Sequence, residues 1–136
     1  MRRALPILAA LAVCACATEP ATPAGDGGLV GPEWRLEDLL GGGIIDRSHL
    51  TLQLSAEGRA AGSAGCNRYF GAWSGGTGGK LGLGKMGSTR KACAPSLMEQ
   101  ESRFLRSLET ASAYSFTGDG ALVVTTAEGP LIFRKD

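Results

Sequence analysis

Cys66, Cys93, His49, Glu101 and the string Gly79-Lys-Leu-Gly-Leu-Gly-Lys85 are the places where this chain could do chemistry. The two thiols stand 27 positions apart, within Gly62-Ser-Ala-Gly-Cys-Asn-Arg-Tyr-Phe-Gly71 and Thr89-Arg-Lys-Ala-Cys93. Redox sensing or metal binding is one use for such a pair, and a structural disulfide is the other. A zinc site usually draws on four ligands, and His49 is the one histidine available to join these thiols. There is no C-x-x-C redox pair. The expectation is therefore a structural bridge, with no metal and no cofactor. Closing a loop of this length contributes roughly 3–4 kcal/mol on the chain-entropy account.

Glu101 falls among Leu97, Leu105 and Leu108 on a helical face. A carboxylate placed there must find donors, because an unpaired buried charge is very costly. It could be a catalytic acid or a ligand contact. The structural alternative pins it on backbone amides or on Asn67, Arg68 or Arg90, and this is the expected role, since no second acid or histidine is placed to share chemistry. The glycine string has the spacing of a phosphate loop, yet Met86 stands where a magnesium-binding Ser or Thr belongs and no long helix follows. Glycines in a twisted, bulged strand account for it better. His49, standing alone, leaves a Ser/His/Asp or Cys/His mechanism without its base. Trp34, Tyr69, Phe70 and Trp73 could line a groove, but they are the expected core of a sheet with few other large residues. No catalytic site is legible, and the chain is not expected to be an enzyme.

Charge supplies no partner. Lys and Arg total 14 against 13 Asp and Glu, so nothing draws the chain to nucleic acid. The cations Arg68, Lys80, Lys85, Arg90 and Lys91 form a modest solvated cluster around the expected staple. Glycine is frequent, at 21 residues, without a collagen period, which favours turns and bulges.

The amino terminus reads as a leader. Arg2 and Arg3 precede an apolar run from Ala4 to Val13, too short for a bilayer span of roughly 20 residues. Cys14-Ala-Cys16 then resembles the lipobox of bacterial lipoproteins. Cys16, preceded by the small Ala15, is the favoured acylation site over Cys14, which follows the bulkier Val13. Residues 1–15 are thus expected to be a lipoprotein signal peptide. Residues 16–31 are expected to be a disordered tether with a root-mean-square span of roughly 20 Å. Ala17 after the anchor leans toward the outer membrane. The expected partners are the membrane, through the anchor, and other envelope proteins; the expected state is a monomer.

The folded part is expected over 32–136. Glu33-Trp-Arg-Leu36 reads as a short strand, and Leu50 to Leu54 alternates as a half-buried one. Ala56 to Arg59 is turn material before a small-residue strand from Ala60 to Gly65. Asn67 to Trp73 and Lys80 to Met86 give two more strands. One helix stands out from about Leu97 to Ala111, with Ser96 and Glu99 in a capping pattern after Pro95. Leu97, Met98, Phe104, Leu105, Leu108 and Ala111 share its apolar face. After Tyr114-Ser-Phe116, strands from Ala121 to Thr126 and from Leu131 to Lys135 follow turns at Thr117–Gly120 and Ala127–Pro130. Runs of short strands with one inserted helix make an α+β fold.

These residues together resemble the META domain, whose bacterial members include HslJ-like heat-shock lipoproteins. The resemblance is carried by Glu33-Trp34-Arg35-Leu36, Leu50-Thr-Leu, Gly58-Arg59, the G-C-N-R-Y-F-G string and Thr89-Arg-Lys-Ala-Cys93. Glu101-Ser-Arg-Phe-Leu105, Leu108, Leu122 and Leu131-Ile-Phe133 extend it over nearly the whole span from Trp34 to Phe133. Lys91 departs from the methionine many relatives carry. The resemblance implies a curved antiparallel sheet, a partial barrel, with one amphipathic helix packed across it. It makes Trp34, Gly65, Asn67, Arg68, Phe70 and Gly71 structural motif positions, with Thr89, Glu101, Phe104 and Leu108. It also implies a role in stress response, motility or secretion rather than a reaction. The expected role is a non-catalytic binding or chaperone-like module, with a lipid or small-ligand carrier using a sheet–helix cleft as the rival.

Overall fold

The computed structural model describes residues 26–136. The leader, Cys14, Cys16 and the first part of the expected tether lie outside the described residues. Nine strands and one helix follow in chain order: β1 (Glu33–Leu39), β2 (Thr51–Leu54), β3 (Arg59–Ser63), β4 (Arg68–Gly75), β5 (Leu81–Leu83), β6 (Gly87–Ser88), α1 (Pro95–Glu109), β7 (Ala113–Phe116), β8 (Leu122–Thr126) and β9 (Gly129–Lys135). The fold is α+β, as expected.

All pairings are antiparallel, in the order β5-β4-β3-β2-β1-β9-β8-β7, with β6 beside β5 on the same edge of β4. The two ends of that ribbon meet. Lys80 bridges Ala113, the Tyr114 amide donates to the Gly79 carbonyl at 2.8 Å, and the Leu81 amide reaches Ser112 at 3.3 Å. The sheet therefore closes into a barrel through one short seam.

Alternation in β1 places Trp34 and Leu36 inside. Leu39, three residues further on, would face outward in a regular strand. A bulge between Leu36 and Asp38 in the pairing with β9 absorbs one residue and returns Leu39 to the core. Inside the barrel, Phe104 of α1 meets Tyr69 edge-on at 5.7 Å and Phe133 at 6.4 Å. Towards the other end, Phe116 lies 5.8 Å from Trp34 and 5.7 Å from Tyr114.

Strand direction sorts the loops into two ends. The β1–β2, β3–β4 and β8–β9 connections share one end, and α1 lies across it. Gln100 accepts from the Ile45 amide at 2.8 Å and donates to Ser48 Oγ at 3.0 Å. Ser107 donates to Glu128 at 2.9 Å, and Glu109 accepts from the Met86 amide at 2.9 Å. The buried stripe of α1 is Gln100, Glu101, Phe104, Ser107 and Leu108. Of the expected apolar face, Leu97, Met98, Leu105 and Ala111 are only half-buried. The loop end of a barrel presents backbone groups, so the helix meets it with polar side chains between apolar ones.

The helix also begins earlier than expected. Ala94 is its N-cap with no side-chain hydrogen bond, and Pro95 occupies the first turn. Proline's fixed φ suits that position, which leaves Ser96 inside the helix and the Ser96–Glu99 capping pattern unused. Pro130 lies within β9 opposite Thr125 rather than in a turn.

The opposite end, here the base, is covered by the segment before β1. Leu29 is completely buried. Its carbonyl accepts from Trp34 Nε1 at 3.0 Å, the Gly31 amide donates to Leu54 at 3.0 Å, and Gln53 donates to Gly31 at 2.9 Å. Residues 26–31, which fall within the expected tether, are therefore held against the barrel. One leucine among glycines and prolines finds the barrel mouth, and its burial with three hydrogen bonds orders the segment around it.

Gly62 of β3 is a point where only glycine fits. A Cβ there would lie 2.1 Å from the Thr51 carbonyl oxygen and 2.7 Å from its carbon. Gly62→Ala forces β2 away from β3 and is expected to cost about 1–3 kcal/mol. The urea midpoint should fall with an unchanged slope; an unmoved midpoint refutes the close approach.

Candidate functional site

The motif residues gather where β3 turns into β4, beneath the amino-terminal half of α1. The corner is tight: the Ala64 amide donates to the Asn67 carbonyl at 2.8 Å, and Gly65 has φ +104°. That left-handed backbone is open to glycine and rare for other residues. Asn67 then faces the helix. Its amide donates to Glu101 Oε1 at 2.8 Å, and its Nδ2 donates to Glu101 Oε2 at 2.9 Å and to the Lys91 carbonyl at 3.1 Å. Its Oδ1 accepts from the Lys91 amide at 2.6 Å and from Thr89 Oγ1 at 3.0 Å. An asparagine amide has two donors and two lone pairs, and all four are engaged.

Thr89 extends the clamp by accepting from the Arg68 amide at 3.2 Å and returning a backbone bond to Arg68 at 3.0 Å. Cys66 and Cys93 form a disulfide across the same gap, with Cα atoms 6.0 Å apart. The expected staple is present. The corner thus ties three separate segments (β3–β4, residues 88–93 and α1) by one covalent bond and one buried amide.

Glu101 is 5% exposed. Of its expected partners, Asn67 is the one that holds it; Arg68 and Arg90 point to solvent. Beside it lies a hollow of about 440 Å³ lined by Ser88, Thr89, Arg90, Lys91 and Met98. Chemically this is a positioned carboxylate with one oxygen held by the backbone amide of Asn67 and the other by its side-chain amide, and its geometry is that of a brace. His49 is exposed in the β1–β2 loop and contributes nothing here. Among the described residues, no three His, Cys, Asp or Glu side chains gather as metal ligands.

The other motif residues divide by facing. Trp34, Phe104 and Leu108 are fully buried, and Tyr69 is 1% exposed. Phe70, expected in the core, is 53% exposed, which corrects that reading. Tyr69 and Phe70 are adjacent in β4, so only one of them can face inward. Gly71 faces inward again, and its missing side chain makes room for Met86, whose Sδ would sit 2.6 Å from a Cβ. Trp73 is half-buried and donates from Nε1 to the Ser55 carbonyl at 2.8 Å. The expected cation cluster is not one patch, because Lys80 lies at the base. Gly79–Lys85 runs into β5, where Leu81 and Leu83 face inward.

Gln100 escaped sequence reasoning although it does for the β1–β2 loop what Glu101 does for the β3–β4 corner. The signal was present: it is a polar residue four positions before Phe104 on the same face.

Tyr69 donates its hydroxyl to the Thr51 carbonyl, and burial pushes its phenol well above the ordinary value of 10.0. Tyr114 is raised too, by burial and by the Asp26 carboxylate. These are the two tyrosines of the chain. A folded pKa above the unfolded one gives stability that is complete below about pH 10 and is lost as pH rises past it. Phenolate absorbance should therefore stay low until the domain unfolds in alkali. A normal tyrosine titration in the folded state counts against both burials.

Residues 28–136 match the META domain. Among curated proteins, none matches the chain. Among solved structures, the chain is similar to a protein from Burkholderia xenovorans determined by NMR, with 26% identity and a TM-score of 0.62, covering 96% of this chain and 99% of that one. A second NMR structure shares the fold at 24% identity and a TM-score of 0.65, covering 81% and 93% respectively. A DUF4847 family protein from Bacteroides vulgatus shares it at 14% identity and a TM-score of 0.54, covering 82% and 98%. With the barrel, the inserted helix and the clamped G-C-N corner in place, the chain belongs to the META domain family.

Proposed function

We propose that this protein is exported, acylated at Cys16 rather than Cys14, and held at the periplasmic face of the outer membrane. There it serves as a monomeric, non-catalytic binding or chaperone-like module in envelope stress and homeostasis. The observation that carries this reading is the Cys66–Cys93 disulfide, since such bonds form and persist in oxidising compartments. The leader-like run ending at Cys16 supports it independently. The site supports binding over catalysis because its one buried carboxylate is committed to Asn67.

The rival reading, a carrier of lipid or another small hydrophobic ligand, needs an apolar cleft between sheet and helix. The hollow found there is about 330 Å³ and is lined by Ser96, Glu99, Gln100 and Arg103 beside Ile44 and Ile45. Its wall is too polar for such a cargo, and the large side chains of the barrel interior pack on one another.

Native mass spectrometry of the protein taken from its own envelope tests the proposal. The expected result is an acyl mass on Cys16 with a retained protein partner. Unacylated protein without a partner overturns it.

A further inference from the structure

We propose that the base of the barrel is the face this protein turns toward a phospholipid bilayer, with the hollow beside Val30 and Ala56 lying against lipid. This inference rests on the acylation of Cys16 proposed above. Two observations lead to it.

The first is where the chain leaves the domain. Asp26 is fixed at the base, where its carbonyl accepts from the Tyr114 hydroxyl at 3.3 Å and its side chain accepts from the Gly28 amide at 2.8 Å. Nine residues, 17–25, lie between an anchor at Cys16 and that point, a path of ten Cα steps. Fully extended, they reach at most about 35 Å. The base is thereby confined near the membrane surface. Strands of up to eight residues put the helix-capped end roughly 20 Å beyond it.

The second is the surface at that same end. The β2–β3 turn and the segment after Asp26 border an open hollow of about 610 Å³, lined by Val30, Leu54, Ala56 and Ala61 with the charged Glu57 and Arg59. Most of its exposed lining is apolar. One of its walls is Val30, from the very segment that leads to the anchor. Charges around the base nearly balance: Arg35, Arg59, Lys80 and Lys135 stand among Asp26, Glu33, Glu57, Asp119 and Asp136. Apposition there depends on the tether and on apolar contact, and a polybasic attraction is not required.

The test uses the full acylated protein in vesicles of phosphatidylethanolamine and phosphatidylglycerol that contain a phospholipid with a photoactivatable diazirine. Lipid adducts are mapped by peptide mass spectrometry. Adducts are expected on the peptides holding Val30 and Ala56, in clear excess over those holding Ile45, Glu99 and Arg103. Ala56→Glu, on an exposed turn, should lower the base adducts about fivefold by repulsion from the anionic surface, while Ser96→Glu at the far end leaves them unchanged. Equal labelling of both ends, or labelling indifferent to Ala56→Glu, overturns the inference with the acylation intact. A protein lacking the acyl mass overturns both readings.

Discussion

Asn67→Ala costs this domain about 3–5 kcal/mol, because it removes three part-buried hydrogen bonds and the side-chain donor from one oxygen of a buried carboxylate, leaving the backbone amide on the other. The side chain of Asn67 also fixes Lys91 and Thr89, so the loss includes the anchoring of residues 88–93. Urea denaturation at neutral pH measures the change. Glu101→Gln in the Asn67→Ala background should recover part of it, since the charge is then gone, and the double variant should be better than the two losses added. A cost for Asn67→Ala below about 1 kcal/mol would mean that Glu101 reaches water and that its burial has been misassigned.

Removing the disulfide has the second-largest expected effect. Cys66→Ala with Cys93→Ala, or reduction of the native protein, should lower stability by about 3–4 kcal/mol. Thermal melting with and without reductant gives the readout. Asn67 and the bridge restrain the same two segments, so the disulfide variant and Asn67→Ala should not be additive. Unchanged melting on reduction, with two free thiols by mass, removes the covalent staple from the architecture.

The positions of most strands were legible in the sequence because alternation and turn residues are local signals. β2, β3, β4 and β8 fall close to their expected spans. The staple was legible because the leader-like amino terminus points to an exported chain, in which two distant cysteines would have little else to do. Features that escaped depend on distant contacts. Leu29 sits in a segment whose composition favours disorder, and its burial depends on Trp34, Leu54 and the far side of the barrel. The seam at Lys80–Ala113 joins residues 33 apart with no sequence mark. Phe70 escaped for a different reason: strand parity was readable, and the weight given to aromatic burial overrode it.

In the candidate site, Glu101 stood out as a polar group on an apolar face, and Asn67 was among its possible partners. What sequence could not give was the completeness of the asparagine's engagement. That depends on three segments meeting within hydrogen-bond distance, which is why Arg68 and Arg90 were equally open as partners for Glu101.

The single bridge that joins the ends of the ribbon would set how the molecule behaves beside aggregation-prone chains. Every other junction in the ring is a ladder of two or more paired residues, so transient opening should start at β5 and β7, and amide exchange at Tyr114 and Leu81 should be faster than in the ladders. While shut, the ring offers unfolded polypeptide scarcely any bare strand margin to copy. A protein surrounded by unfolded chains would thus be protected from joining their clumps by geometry alone.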